Sequence, residues 1–376
     1  MRFTNVGIAA LAANLASAHP GHNIKQEAVV RRDAMKAMKG PRSLGHCAEK
    51  IKSRGLERKN VLRRNNLMNT LVQKRGLKAR DLDSVLATSH LSSEDYDLDT
   101  DEATLFASNG SCVLTPEVTQ GPYYVDGEYV REDMSEDQPG VPLYIDAQVL
   151  DVDTCDPVES VYVEAWHCNA TGVYSGIVAS GNGDSSDESN MDNTFLRGVQ
   201  ATDSEGVVGF QSIFPGHYTS RATHIHVFVH ANASELANGT IMDTTASHVG
   251  QMFFDQDLIS GVEDTSPYST NTQELTTNEE DLILSEEADG VDPVMEYVLL
   301  GDTVEDGILA WLSFGIDASS SYSVNSAATY YEDGGIASED TGFGGGEAPS
   351  GSMPSGTLPS GVAPGASASG VAKKKC

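Results

Sequence analysis

Residues 214–230 read Phe-Pro-Gly-His-Tyr-Thr-Ser-Arg-Ala-Thr-His-Ile-His-Val-Phe-Val-His, and this stretch decides both the fold and the candidate chemistry. Its second half, Thr223 to His230, is apolar at Ile225, Val227 and Val229 and rich in β-branched residues, the pattern of a strand. Successive strand side chains point to opposite faces, so His224 and His226 share one face with backbones about 6–7 Å apart. Two imidazoles so placed form a polar strand face or close together on one metal ion. His230 lies on the same face about 13 Å past His226, too far for an easy third ligand. Just upstream, Tyr218 ends a Pro-Gly turn, and Arg221 is one of few cations in its region. Tyrosinate with imidazole suits a hard, oxidised ion such as ferric iron better than zinc, which takes Cys, His and carboxylate.

The chain has 376 residues and a net charge of −31, unevenly spread. Seventeen of its 24 Lys and Arg fall between Lys25 and Arg80, and only Arg131, Arg197 and Arg221 lie between Asp81 and Asp340. So acidic a body repels phosphate backbones, which argues against a nucleic-acid partner. The basic segment reads as a pro-segment or arm held against that body. Arg2, the apolar run Val6 to Ala13 and Ala16-Ser17-Ala18 form a secretory leader over residues 1–18. No stretch is long enough to span a bilayer, so the expectation is a secreted, extracellular chain, with cell-wall association open. Sequons at Asn109, Asn169, Asn232 and Asn238 agree. Of the five cysteines, Cys155 and Cys168 flank a strand connection and are expected to pair, with Cys47 and Cys112 as a second bridge.

Residues 19–104 form a basic helical arm or pro-segment with an acidic linker over Leu91–Glu102. Apolar residues there recur at helical spacing, with breaks near Gly55 and Gly76. Arg31-Arg32, Arg63-Arg64 and Lys74-Arg75 fit dibasic processing sites and fit a basic helix face equally well. Strands are expected over Leu143–Leu150, Val161–Cys168, Gly206–Phe214, Thr223–His230 and Val249–Asp255, with a closing strand at Tyr297–Leu300. Many short strands between Gly-, Asn- and Asp-rich turns predict an all-β fold, a two-sheet β-sandwich over residues 105–335. The acidic loop Gly181–Asn193 lacks the calcium-loop register and reads as solvated. Residues 336–376 are a Gly/Ser/Pro-rich tail, disordered on composition.

A second tyrosine completes the pattern. Trp166-His167-Cys168-Asn169-Ala170-Thr171-Gly172-Val173-Tyr174 ends a strand and enters a Gly-marked turn, a place where a side chain meets a cleft. Together with Gly121-Pro122-Tyr123-Tyr124, Pro215-Gly216-His217-Tyr218 and Arg221-Ala222-Thr223-His224-Ile225-His226, this set resembles the intradiol ring-cleavage dioxygenases, most of all their secreted fungal branch. The resemblance covers roughly Cys112 to Leu258. It implies that Tyr174, Tyr218, His224 and His226 hold a non-haem Fe(III), that an aromatic diol and dioxygen are the substrates, and that the ring opens between its hydroxyl-bearing carbons to a muconate-type diacid. It also implies that Arg221 stabilises negative charge developing on the ring and that Gln251 supports the site from behind.

Two departures stand out. Ala222 replaces the proline that usually follows the arginine, and the interval from Tyr218 to Arg221 is short, so that other loops must supply a pocket wall. With so few cations in the body, a neutral catechol or hydroxyquinol is expected over protocatechuate. Tyr123 and Tyr124 line the pocket or simply pack, Trp166 belongs to the core, and His217 and His230 are surface groups or supports behind the site. A second reading stays open, in which a secreted β-sandwich kept the fold as an inactive binding or cell-wall protein.

Overall fold

Along Pro142–Asp151, Leu143, Ile145, Ala147 and Val149 alternate with Tyr144, Asp146 and Gln148, and both sets are buried. The computed structural model, which describes residues 29, 44–77, 111–113, 123–243, 245–288 and 292–338, shows why. Its main strands are β1 (Ser111–Val113), β2 (Pro142–Asp151), β3 (Tyr162–Trp166), β4 (Arg197–Ala201), β5 (Val207–Ile213), β6 (His224–His230), β7 (His248–Phe253), β8 (Glu296–Leu299) and β9 (Ile308–Ile316). Its main helices are α1 (Ala48–Ser53), α2 (Leu56–Lys74), α3 (Gln256–Glu263) and α4 (Leu282–Glu287). The expected leader at residues 1–18, the acidic stretch at 91–102, the sequon at Asn109, Gly121-Pro122 and the tail beyond residue 338 lie outside the described residues.

In the five-stranded sheet, β2 pairs antiparallel with β5 and parallel with β9, whose far edge takes β8 and then β1. The four-stranded sheet runs β7-β6-β3-β4, antiparallel throughout. One apolar cluster draws Leu143, Ile145, Phe210, Ile308 and Leu312 from the first sheet and Val163, Ala165, Ile225, Val227 and Met252 from the second. The other face of the first sheet lies under the N-terminal helices. Val61, Leu71 and Val72 of α2 pack on Tyr144, Leu309 and Trp311.

This double burial explains the strand that sequence reading missed. Ile308–Ile316 reads Ile-Leu-Ala-Trp-Leu-Ser-Phe-Gly-Ile and is buried at every position, so it shows no polar alternation. Beyond Asn278 only the closing strand at Tyr297–Leu300 was expected; it is present as β8, at the edge of β9. The cysteine pairing is corrected too. Cys47 is bonded to Cys155, and Cys168 is a buried free thiol. Cys155 faces Leu44, Ile51 and Leu56 of the arm, whereas Cys168 donates to Gly216 O on the other side of the molecule. A bridge across a separation of 108 residues removes about 4–5 kcal/mol of unfolded-chain entropy on the loop-closure account.

The arm is also fastened by charge. Arg63 grips Asp146 through Nε and Nη2 at 2.7 and 2.8 Å, and Arg64 donates to the same carboxylate at 3.0 Å while lying over the Trp311 ring. Arg64 and Asp146 are buried, so this dibasic pair belongs to a helix face packed on the sheet. Burial alone would raise the Asp146 carboxyl, but the Arg63 hydrogen bonds and both guanidinium charges overcome it and hold the group below its ordinary value. The stabilisation is therefore full above the unfolded carboxyl value near 3.9 and is lost as pH falls through the depressed folded value. Asp146→Ala strands Arg64 without its carboxylate and should cost about 3–5 kcal/mol in urea unfolding at neutral pH. It should also flatten the fall in stability below about pH 4.

Candidate active site

With Ile225, Val227 and Val229 in the shared core, the strand alternation turns His224, His226, Phe228 and His230 to the opposite face of the four-stranded sheet. Pairing then fixes their neighbours. Trp166 of β3 and Gln251 of β7 flank His226, and Phe253 flanks His224. The indole of Trp166 stacks on the His226 ring at 4.8 Å and 6°, so it is core and also the wall that sets this imidazole.

The four predicted ligands converge. Tyr218 Oη lies 3.2 Å from His224 Nε2, which lies 3.1 Å from His226 Nε2. The Tyr174 ring meets Tyr218 at 5.7 Å and His226 at 6.0 Å between centroids. His224 Nδ1–H donates to Ala222 O at 2.6 Å, which leaves Nε2 as a bare lone pair facing the site. That lone pair can accept one proton, from Tyr218 or from His226, but not both. Tyr174 Oη is buried and reaches no hydrogen-bond partner at ordinary distance. Burial raises both phenols well above their ordinary value near 10, and Arg221 only partly offsets this. Two crowded imidazole nitrogens and the Tyr218 oxygen in successive contact, beside the buried Tyr174 phenol, are what a small, highly charged cation would satisfy, because it binds lone pairs and displaces phenol protons. The donor set fits ferric iron, and zinc poorly. Elsewhere among the described residues His46, Cys47 and Cys155 also cluster, but two of these are spent in the disulfide.

Each tyrosine stands on a braced turn. Tyr174 N–H donates to Asn182 Oδ1 at 2.7 Å, and the Asn182 and Asn190 amides both donate to the Tyr174 and Ile177 carbonyls. The acidic loop Gly181–Asn193 is therefore only partly solvated, since Asn182 and Asn190 are buried and form the frame of the Tyr174 turn. Gly172, at φ 79, packs against the His217 carbonyl so closely that a Cβ would collide, and this contact locks the Tyr174 turn to the Tyr218 turn. His217 is buried rather than superficial, donating to Glu263 at 2.8 Å and to Gln273 O at 3.1 Å. Tyr123 sits beside Tyr174, with ring centroids 5.0 Å apart, whereas Tyr124 packs on Trp166 and Phe228. His230 is also buried, bonded to Glu164 and the Thr245 carbonyl. Burial would lower its pKa, but Asp243 and Glu164 raise it to about 10.

The short interval from Tyr218 to Arg221 is a tight turn with Ser220 at φ 78, held by a bond from its N–H to Thr276. A non-glycine residue in this region stores strain, which the buttress must offset. The turn is braced by the segment after α3, through Asn271, Gln273, Thr276 and Asp281. Arg221 is fully buried, donates from Nε to Asp281 at 3.0 Å and touches the Gln251 amide oxygen. The same Asp281 oxygen accepts from Ala222 N–H at 2.7 Å, a donor that proline lacks, while the other oxygen caps α4 at Ile283 and Leu284. Asp281 was not found from sequence. An Asp ahead of an apolar run signals a helix cap, but nothing local signals a partner 60 positions away.

Asp281→Ala leaves Arg221 charged, buried and short of its carboxylate, and should cost about 3–5 kcal/mol in denaturant unfolding. Ala222→Pro removes one donor from a carboxylate that keeps its other partners and should cost less, about 1–3 kcal/mol. Equal stability of both variants and the parent would contradict this account of the turn.

With this geometry in hand, comparison with known proteins is informative. A family model described as "Dioxygenase" (Dioxygenase_C) matches residues 116–279. Catechol 1,2-dioxygenase 1 of Acinetobacter lwoffii is 28% identical over 143 residues, 32% of this chain and 43% of that protein. Catechol 1,2-dioxygenase of Acinetobacter baylyi is 28% identical over 161 residues, 37% of this chain and 48% of that protein. The chain thus spans less than half the length of these curated relatives. Among solved structures, an intradiol ring-cleavage dioxygenase from Tetranychus urticae is 29% identical, with a TM-score of 0.46, covering 55% of this chain and 96% of that one. Over residues 116–279 the chain is therefore similar to the dioxygenase family, and the relatives it matches are catechol 1,2-dioxygenases and intradiol ring-cleavage dioxygenases.

Proposed function

We propose that the chain is a secreted non-haem Fe(III) dioxygenase that cleaves a catechol-type ring between its two hydroxyl-bearing carbons to a muconate-type diacid. The observation that carries this reading is the convergence of Tyr218 Oη, His224 Nε2 and His226 Nε2 within successive contacts of 3.2 and 3.1 Å, beside the buried Tyr174 ring 5.7 Å from that of Tyr218. Tyr174, Tyr218, His224 and His226 would hold the ion, and we read the two sheets as the faces of a β-sandwich that keeps these donors rigid. When bound, ferric iron supplies the Lewis acidity that draws electron density from a chelated diol and opens its ring to dioxygen.

The chain's own residues then have distinct tasks. The Ala222 carbonyl keeps the proton of the neutral His224 ring on Nδ1, so the Nε2 lone pair faces the ion. Trp166 and Tyr123 close the sides of the site and exclude water. Arg221, fixed by Asp281 and Gln251, holds a permanent positive charge beside the reacting ring. Such a preorganised charge stabilises negative charge that develops in the transition state.

Charge supports a neutral substrate. Arg131 is bonded to Glu136, and Arg197 to the Tyr123 and Ser175 carbonyls. With Arg221 committed to Asp281 and Arg197 fully buried, the body offers little positive charge to hold a substrate carboxylate. The leader-like start and the Cys47–Cys155 bridge support an oxidising, extracellular setting. Purified chain loaded with Fe(III) should consume one dioxygen per catechol and turn over catechol faster than protocatechuate, the difference narrowing at high salt. Arg221→Gln should lower kcat on catechol by about 10²–10³. Faster turnover of the acid would overturn the substrate reading. No dioxygen uptake by iron-loaded protein would favour an inactive binding protein of the same fold.

A further inference from the structure

The sequons at Asn169 and Asn238 have the same Asn-x-Thr form but opposite surroundings. At Asn169 the carboxamide is a strut of the Tyr174 turn. Its oxygen accepts from Thr171 N–H, from the Thr171 hydroxyl and from Val173 N–H, and its Nδ2 donates to Gln138 at 3.3 Å. Asn238 tops a tight turn in which Leu236 N–H donates to Thr240 O at 2.8 Å and Gly239 takes φ 78. The Thr240 N–H and hydroxyl both donate to Asn238 Oδ1, at 3.3 and 2.9 Å. Asn238 is exposed, and among the described residues its Nδ2 has no hydrogen-bond acceptor.

Asn238 is also one wall of a cleft of about 260 Å³, shared with Tyr129, Thr240, Tyr330, Tyr331 and Glu332. Tyr129 pairs with Thr240 across neighbouring strands, which sets its ring beside the sequon. Tyr129 and Tyr330 meet edge to face at 5.5 Å, and Tyr331 is 45% exposed. Tyrosine offers an apolar ring with a polar tip, and three of them rimmed by an amide and a carboxylate match a sugar ring, apolar on its C–H face and polar at its hydroxyls.

We propose that Asn238 carries an N-linked glycan whose first N-acetylglucosamine seats in this tyrosine cleft, and that Asn169 stays unmodified. In the transfer, Asn238 Nδ2 forms a bond to the anomeric carbon and gives up one proton. The bond from that carbon to a polyprenyl diphosphate carrier breaks, and the diphosphate leaves with the electron pair. The seated sugar shields tyrosine faces that otherwise meet water, and so stabilises the fold without touching the iron-type site. The inference rests on the secreted reading above, not on ring cleavage.

The test is secretion of the full chain from a eukaryotic host, with its own leader and with a leader from another secreted protein. Digestion and peptide N-glycosidase treatment in ¹⁸O water then convert each glycosylated Asn to labelled Asp. Label at Asn238 and none at Asn169 is the expected result under either leader. Secretion under the foreign leader alone, with Asn238 labelled, supports the site while refuting the leader. An unlabelled Asn238 in secreted chain overturns the proposal. Seating is read from Tm. Trimming the glycan to its first sugar should leave Tm unchanged, and Asn238→Gln should lower it by about 2–4 °C, the shift expected from roughly 1 kcal/mol in a domain of this size. In a Tyr331→Ala background Asn238→Gln should lower it no further. The same shift in both backgrounds, or none in the parent, would overturn the seating.

Discussion

The whole arrangement depends on the two-residue period of one strand. Along His224–His230, every odd-numbered or even-numbered choice is forced, because Ile225, Val227 and Val229 must enter a core shared by two sheets. Moving that strand by one residue would turn its aliphatic side chains toward the site and bury three imidazoles, those of His224, His226 and His230, in hydrocarbon. The apolar core therefore does more than stabilise the body, since it brings the His224 and His226 nitrogens together before any ion binds.

What the strand begins, buried polar contacts complete. The two tyrosines come from loops, and loops hold position only when their backbone groups are satisfied. Asn182 and Asn190 do this for Tyr174, while His217, Gln273 and Thr276 do it around Tyr218 and Ser220. Asp281 joins both requirements in one carboxylate, tying Arg221 and Ala222 to a helix start. The missing proline thus has a structural counterpart, because its place is taken by a hydrogen bond instead of a rigid ring. On the opposite face, Asp146 binds Arg63 and Arg64 by the same logic of a buried carboxylate held by more than one donor.

Much of this was legible in the chain. The alternating strands and the helical arm follow from local pattern, and the resemblance pointed to Tyr174, Tyr218, Arg221, His224, His226 and Gln251, which the fold places as neighbours. What escaped was non-local or unpatterned. Ile308–Ile316 is covered on both faces and so lost the alternation that marks a strand. The Cys47–Cys155 bond spans 108 residues, and spacing alone favoured a nearer partner. For His217 and His230 the sequence left surface and supporting roles open, and burial decides for the supporting one. Here Glu263, Glu164 and Asp243 neutralise them inside the protein.

The central claim is geometric: four side chains make one ferric site. Diffraction at the iron absorption edge, from crystals of the full chain loaded with Fe(III), measures it most directly. The account predicts a single anomalous peak about 2 Å from Tyr174 Oη, Tyr218 Oη, His224 Nε2 and His226 Nε2. Iron bound elsewhere, or no iron between these four atoms in protein with the sheets intact, would contradict it.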